Sequence, residues 1–199
     1  MATEQLIIFV KAPRPGSVKT RLAEAIGPGA ACAAYWTLVE ELFRRLESLS
    51  SVELRFSPDD AGAEIARWQR SSWTIRPQGP GELGERLERA FSETFAQGAQ
   101  YVLVIGSDCP VVTVRDIQAA WAALRTNEVV IGPARDGGYW LIGLCKPQPA
   151  LFQGIDWSTE RVLNQTLRAA REANLSVALL RELSDVDTEV DWLEYLREK

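Results

Sequence analysis

Residues 101–110 read Tyr101-Val-Leu-Val-Ile-Gly-Ser-Asp-Cys-Pro110. Five aromatic or aliphatic residues follow one another without a polar break, the pattern of a strand buried on both faces. Gly-Ser-Asp-Cys then ends the strand, and Pro110 turns the chain towards the next helix. Asp108 stands just past the strand. An acid there is poorly placed for packing and well placed to hold a metal. Its plainer role is to satisfy backbone N–H groups at the turn.

The same alternation recurs on either side. Residues 6–10 (LIIFV) and 52–56 (VELRF) read as strands, and 74–76 (TIR) as a weak one. Helical spacing of three and four joins Ala31, Tyr35, Leu38, Leu42, Leu46 and Leu49 over 30–49. A short helix holds Ile65 and Trp68, and another runs from Leu83 through Leu87 and Phe91 to Phe95. Thr113 to Leu124 is a helix with a Thr113/Asp116 capping box. VVI (129–131) and YWLIGL (139–144) are strands around a Gly-rich turn. Residues 158–173 are helical, VALL (177–180) is a strand, and 188–197 is a closing helix. The pattern predicts an α/β fold with a largely parallel central sheet and helices on both faces. No repeat or linker interrupts it, so the 199 residues are expected to form one domain over 1–199. Ligands of such sheets bind beyond the carboxyl ends of the strands, here in the loops after residues 10, 76 and 105.

Composition narrows the chemistry. There is no histidine, which excludes a Ser-His-Asp triad, a Cys-His pair and an HExxH zinc site. Acid–base work falls to carboxylates, Tyr, Lys or Cys, and a catalytic metal is expected to be oxygen-bound Mg²⁺ or Mn²⁺. With 22 basic and 27 acidic residues the net charge is −5, which argues against a non-specific nucleic-acid binder. Cys32, Cys109 and Cys145 are odd in number and lack CxxC spacing, as expected in a reducing, cytoplasmic compartment. The N-terminus is not the pattern of a signal peptide, and no apolar run suffices for a membrane span.

The first loop, Lys11-Ala-Pro-Arg-Pro-Gly-Ser-Val-Lys-Thr-Arg21, carries Lys11, Arg14, Lys19 and Arg21 and no acid. A Gly/Pro loop between strand and helix offers N–H groups, a helix dipole and cations to a phosphate. The alternative is a solvated basic loop. It is not a Walker A loop, because Val18 occupies a position where that motif needs Gly. Gly79-Pro-Gly-Glu-Leu-Gly84 fits GxGxxG, with Asp108 downstream, but it follows a weak strand and contains Pro80. A plain turn and a nucleotide-contacting loop both remain open. Gly132-Pro-Ala-Arg-Asp-Gly-Gly-Tyr-Trp140 is either a hairpin turn or a longer loop carrying Asp136 to a substrate. In Asp185-Val-Asp-Thr-Glu-Val-Asp191, Thr188 and Asp191 form a second capping box, so Asp191 reads as structural and Asp187 as free to meet a ligand. Most tryptophans read as core; Trp140 and Trp157, beside loops, are candidate stacking surfaces.

K-x-P-x-x-G-x-x-K-T-R-L, G-x-L-G-E-R-L, G-S-D-C-P, G-P-x-x-D-G-G-Y and D-V-D-T-x-x-D follow in this order from residue 11 to 191. As a set they resemble small bacterial GT-A-type nucleotide-diphospho-sugar transferases, in particular the arsenosugar-biosynthesis glycosyltransferase-like subgroup. More distantly the chain is similar to 2-phospholactate and molybdenum-cofactor guanylyltransferases. The resemblance implies that Lys11, Gly16, Lys19 and Arg21 hold the nucleotide phosphates. It places Gln78, Gly84 and Arg86 near the base or ribose, Asp108 and Asp187 on the divalent metal, and Asp136 facing the acceptor. Glu82 stands where the resemblance leads one to expect Asp.

Three functions follow. The first is a metal-dependent glycosyltransferase moving a sugar from a nucleotide-diphospho-sugar to a small-molecule acceptor. The metal and the basic loop, Lys19 included, would stabilise the departing diphosphate, with Asp136 as base. The alternative is a nucleotidyltransferase acting on a nucleoside triphosphate, whose anionic acceptor needs no base. The third is a nucleotide-binding regulator without turnover. The sequence does not specify sugar, base, acceptor or oligomeric state.

Overall fold

The structure is a computed structural model and describes residues 3–198. One sheet contains β1 (Glu4–Lys11), β2 (Val52–Ser57), β3 (Thr74–Pro77), β4 (Tyr101–Gly106), β5 (Val129–Pro133), β6 (Tyr139–Leu144) and β7 (Val177–Leu179). Their order is β3-β2-β1-β4-β6-β5-β7. All neighbours pair in parallel except that β6 runs antiparallel to both β4 and β5. The expected parallel sheet is therefore present with one reversed strand. The β5–β6 connection is too short for a crossover, so it folds as a hairpin.

The helices are α1 (Thr20–Ile26), α2 (Pro28–Leu46), α3 (Gly62–Ile65), α4 (Leu83–Ala96), α5 (Val114–Leu124), α6 (Val162–Glu172) and α7 (Glu189–Glu198). Turns of 3₁₀ helix lie at Ala66–Trp68 and Pro149–Phe152. The period-2 geometry of β1 divides its side chains between two cores. Leu6, Ile8 and Val10 pack with Tyr35, Val39 and Leu42 of α2 and with Ile117 and Trp121 of α5. Ile7 packs on the other side with Leu87 and Phe91 of α4 and Ala170 of α6. Leu6, Ile7 and Ile8 are fully buried, and each contributes about 1.5–3 kcal/mol relative to exposure. The central strand is thereby fixed from both faces.

Helix α1 has no counterpart in the periodicity. It is short, and its N-cap, Lys19, makes no side-chain cap bond. Gly27, at φ 85°, separates it from α2, which Pro28 opens where no backbone N–H is required. The chain leaves β1 for β2 on one side of the sheet, while β4 lies on the other. The carboxyl ends of β1 and β4 therefore form the switch point where such sheets bind ligands. Among the described residues no helix is long and apolar enough to cross a membrane.

Candidate functional site

The loop after β1 is tied down before it can meet a ligand. Tyr35, 2% exposed on α2, accepts the Lys11 N–H at 2.9 Å, and its hydroxyl lies 3.2 Å from the Lys11 carbonyl. The same hydroxyl lies 3.0 Å from Ser107 Oγ, beyond β4. One buried phenol thus joins the ends of the two central strands. Burial raises its pKa above the usual tyrosine range. Gly16, at φ 81°, makes the turn that a side chain would strain.

The four cations of this loop divide into two kinds. Arg14 is paired with Asp60 at 3.1 Å and Glu64 at 2.6 Å, so it anchors the loop to the segment around α3. Lys11 and Arg21 are exposed. Lys19 points inward instead: its side chain is 2% exposed, and Nζ lies 2.5 Å from Asp108 Oδ1 and 2.9 Å from Asp187 Oδ1. Burial opposes the ammonium charge, but the two carboxylates outweigh it and hold the pKa above the ordinary lysine value. Lys19, expected as a phosphate ligand, therefore stands in this structure between the two expected metal ligands. Periodicity could not show this, because Lys19 has a left-handed backbone (φ 48°) that turns it away from the loop's surface.

The carboxylates are held by backbone. The Val186 N–H donates to the Asp108 carbonyl at 3.1 Å, and buried Val186 and Cys109 pin the two segments. Asp191 accepts the Thr188 N–H and hydroxyl, each at 2.7 Å, and the Asp187 N–H at 3.1 Å. It completes the expected capping box and sets the backbone of Asp187. Asp108 and Asp187 keep 47% and 40% of their side-chain surface exposed. Asp185, quoted only as part of a motif in the sequence, is a further member. Burial pushes its carboxyl up to about 7, and the charges of Asp108 and Asp136 add to the shift. Its signal was the Asp-x-Asp spacing around a buried Val.

Asp136 sits at the tip of the β5–β6 hairpin, exposed, with Oδ1 accepting the Gly138 N–H at 2.9 Å. The tight hairpin replaces the longer loop that remained open in the sequence; its tip packs against the backbone of Glu160.

The loop after β3 is a built scaffold. Gln78 is buried, with its amide N–H groups donated to the carbonyls of Arg55 (3.0 Å) and Val10 (3.3 Å). It braces the ends of β1 and β2, and its Oε1 lies 3.4 Å from Arg86. Arg86 donates to the Gly81 carbonyl at 2.6 Å, while Arg89 holds the carbonyls of Gln78 and Pro80 at 2.9 Å each. A Cβ on Gly84 would come within 2.6 Å of the Phe152 carbonyl and 2.7 Å of Trp157 Nε1. These contacts pack Gly84 and the Gln78 amide tightly into the scaffold of this loop. Trp140 is likewise core, 2% exposed, with its indole N–H on the Arg181 carbonyl. Trp157 lies edge-on to Tyr139.

Two oxygen-donor carboxylates and no histidine suit a hard divalent ion. Among the described residues no group of three or more His, Cys, Asp or Glu could hold an ion alone. A Mg²⁺ or Mn²⁺ completed by substrate phosphates and waters fits such a pair, whereas a resident zinc does not.

A family model described as an uncharacterized protein conserved in bacteria (DUF2064) matches residues 43–159, more than half of the chain, and the chain belongs to that family. A solved protein from Desulfovibrio desulfuricans G20, described as a candidate nucleotide-diphospho-sugar transferase, is 35% identical with a TM-score of 0.88. That match covers 94% of this chain and 84% of the other. A curated relative from Chloroflexus aggregans, phosphoenolpyruvate guanylyltransferase, is 28% identical over 81% of each chain. The 4-diphosphocytidyl-2C-methyl-D-erythritol synthase of Anaerococcus prevotii shares the fold at 12% identity and a TM-score of 0.63, covering 98% and 99% of the chains.

Proposed function

We propose that this DUF2064-family chain is a divalent-metal-dependent nucleotidyltransferase that joins the nucleotidyl group of a nucleoside triphosphate to a small phosphorylated acid. The observation that carries the reading is the pair Asp108 and Asp187 at the β1/β4 crevice, on either side of Lys19, with Lys11 and Arg21 exposed around the same loop. The guanylyltransferase names of the curated relatives support GTP as the donor and a phosphoenolpyruvate-like acid as the acceptor.

Asp108 and Asp187 hold the metal, Mg²⁺ or Mn²⁺, which when bound offsets charge on the triphosphate. Lys11 and Arg21, together with the turn at Gly16, hold the phosphates, each cationic contact contributing about 1.5–3 kcal/mol. Tyr35 and Ser107 keep that loop in register with Asp108. An acceptor phosphate oxygen bonds to the α-phosphorus as the bond to the β-phosphate oxygen breaks, and pyrophosphate leaves. The attacking oxygen is already an anion, so no protein base is required. Three free thiols support a cytoplasmic setting.

Glycosyl transfer, the arsenosugar type included, is the second reading, favoured by the 35% identical relative. It requires Asp136 to take a proton, and one of its oxygens already accepts a backbone N–H. A single assay separates the two. With GTP, phosphoenolpyruvate and Mg²⁺ or Mn²⁺, acceptor-dependent pyrophosphate release is expected. No pyrophosphate from any triphosphate, together with hydrolysis of a nucleotide sugar, would transfer the assignment to the second reading.

A further inference from the structure

We infer that Lys19 is an internal counter-ion that closes the Asp108–Asp187 pair to a bare divalent cation, so that the metal enters with the nucleoside triphosphate and not before it. The inference rests on the nucleotidyl-transfer reading and adds an order of binding. Its basis is geometric. The Lys19 ammonium is almost wholly enclosed and contacts the Oδ1 atom of each acid, at 2.5 and 2.9 Å. Half of the negative charge that a metal would meet on the pair is therefore already offset by an ammonium held between the two acids. A bare ion would have to lie within a few ångströms of that ammonium, where like charges repel strongly in a partly dry site. It would also find two carboxylates where Mg²⁺ wants about six oxygens.

A triphosphate removes both obstacles. Its oxygens complete the shell, and its charge gives the ammonium another anion to face. The backbone supports the placement: Lys19 holds a left-handed conformation that lysine adopts seldom, immediately before α1. A plain structural ion pair predicts otherwise. Removing Lys19 would then lower stability and leave metal binding unchanged in order and strength.

The test is equilibrium binding of Mn²⁺ to the full chain with no acceptor present, read without GTP by the electron paramagnetic resonance of the free ion, and with GTP by the Mn²⁺ retained with the protein on ultrafiltration above a protein-free Mn²⁺–GTP control. Lys19→Asn removes the charge and keeps a residue that tolerates the left-handed region. Wild type is expected to bind Mn²⁺ alone about tenfold or more weakly than Lys19→Asn, and to match the variant once GTP is saturating. Adding Asp187→Asn to Lys19→Asn should abolish the gain. Equal affinity of wild type and Lys19→Asn for the bare ion overturns the inference, as does a gain that survives Asp187→Asn. Should Lys19→Asn not fold, wild type alone decides: retention of Mn²⁺ with GTP no greater than without it is the overturning result. Absence of pyrophosphate release would remove the nucleotidyl reading but leave the bare-ion comparison intact, so the two failures are distinct.

Discussion

The chain opens α5 and α7 with the same four-residue box, Thr113/Asp116 and Thr188/Asp191. In both, the acid accepts the N–H and the hydroxyl of its threonine at 2.7–2.8 Å, and the threonine oxygen accepts the N–H of the acid. The difference lies at the residue before the box. Before Thr113 stands Val112, 1% exposed and part of the core under α5. Before Thr188 stands Asp187, whose carboxylate meets Lys19 and whose N–H is held by Asp191. The spare capacity of the acid differs too. Asp116 grips Arg181 through two bonds of 2.7 Å, which fastens the segment after β7 to α5. Asp191 uses its extra bond to set Asp187. One capping device therefore serves packing in one place and aims a charge in the other.

The comparison breaks most visibly at the residues before the boxes. Asp187→Asn is expected to lower the acceptor-dependent pyrophosphate rate by about 100-fold or more, the size of losing one transition-state charge contact. Its melting temperature should stay near wild type, because Lys19 keeps Asp108. Val112→Ala should do the reverse. It removes buried methyl groups, costs about 1.5–3 kcal/mol in denaturant unfolding, and leaves the rate per folded molecule unchanged. If Asp187→Asn unfolds the chain while its rate per folded molecule holds, the two positions have been given the wrong roles.

The boxes themselves sharpen the comparison at a smaller scale. Asp116→Ala and Asp191→Ala each lose a cap and should each cost about 0.5–2 kcal/mol, measured by urea unfolding. Only Asp191→Ala should also reduce the rate, by about tenfold or less, since it frees the backbone of Asp187. Equal rates in the two variants would mean that Asp191 caps without positioning.

Much of this was legible in the residues. The uninterrupted apolar runs at 6–10 and 101–105 mark strands buried on both faces, and both boxes are local, so spacing alone reveals them. The reversal of β6 was less legible, because a Gly-rich connection from 132 to 138 is read equally well as a turn or a loop until the pairing partner is known. The burial of Lys19 was not legible. A lysine in a basic Gly/Pro loop reads as solvent-facing, and only the tertiary meeting of residues 108 and 187 reveals the acids that draw it in. Tyr35 was hidden for a related reason. Its position in the helical stripe marks it as core, which is correct for the ring, but the partners of its hydroxyl lie 24 residues upstream and 72 downstream.

The smallest expected effect is in acid, and it compares the two boxes by charge. Burial works against ionisation of Asp116, but the bonds from Arg181 and Thr113 outweigh it and hold the carboxyl below the usual range. Asp191 is lowered in the same sense by Thr188 and the Asp187 N–H, again against burial. A carboxyl whose folded pKa lies below its unfolded value stabilises the fold at pH above the unfolded pKa, about 3.9 for Asp, and loses that contribution as pH falls through the folded pKa. Stability should therefore fall with acid below about pH 4 at both boxes, and Asp116→Asn and Asp191→Asn should each flatten that fall. Salt separates them. Arg181 is 55% exposed, so its attraction to Asp116 is screened at high ionic strength, whereas Asp191 is held mainly by short-range hydroxyl and N–H bonds, with the Arg21 charge a lesser contribution, and is less sensitive to salt. Urea midpoints between pH 5 and 3, in low and high salt, should show salt narrowing the difference between wild type and Asp116→Asn while leaving that for Asp191→Asn in place. Equal salt sensitivity at the two positions would show that Arg181 adds no charge-specific support and that the boxes differ only in what precedes them.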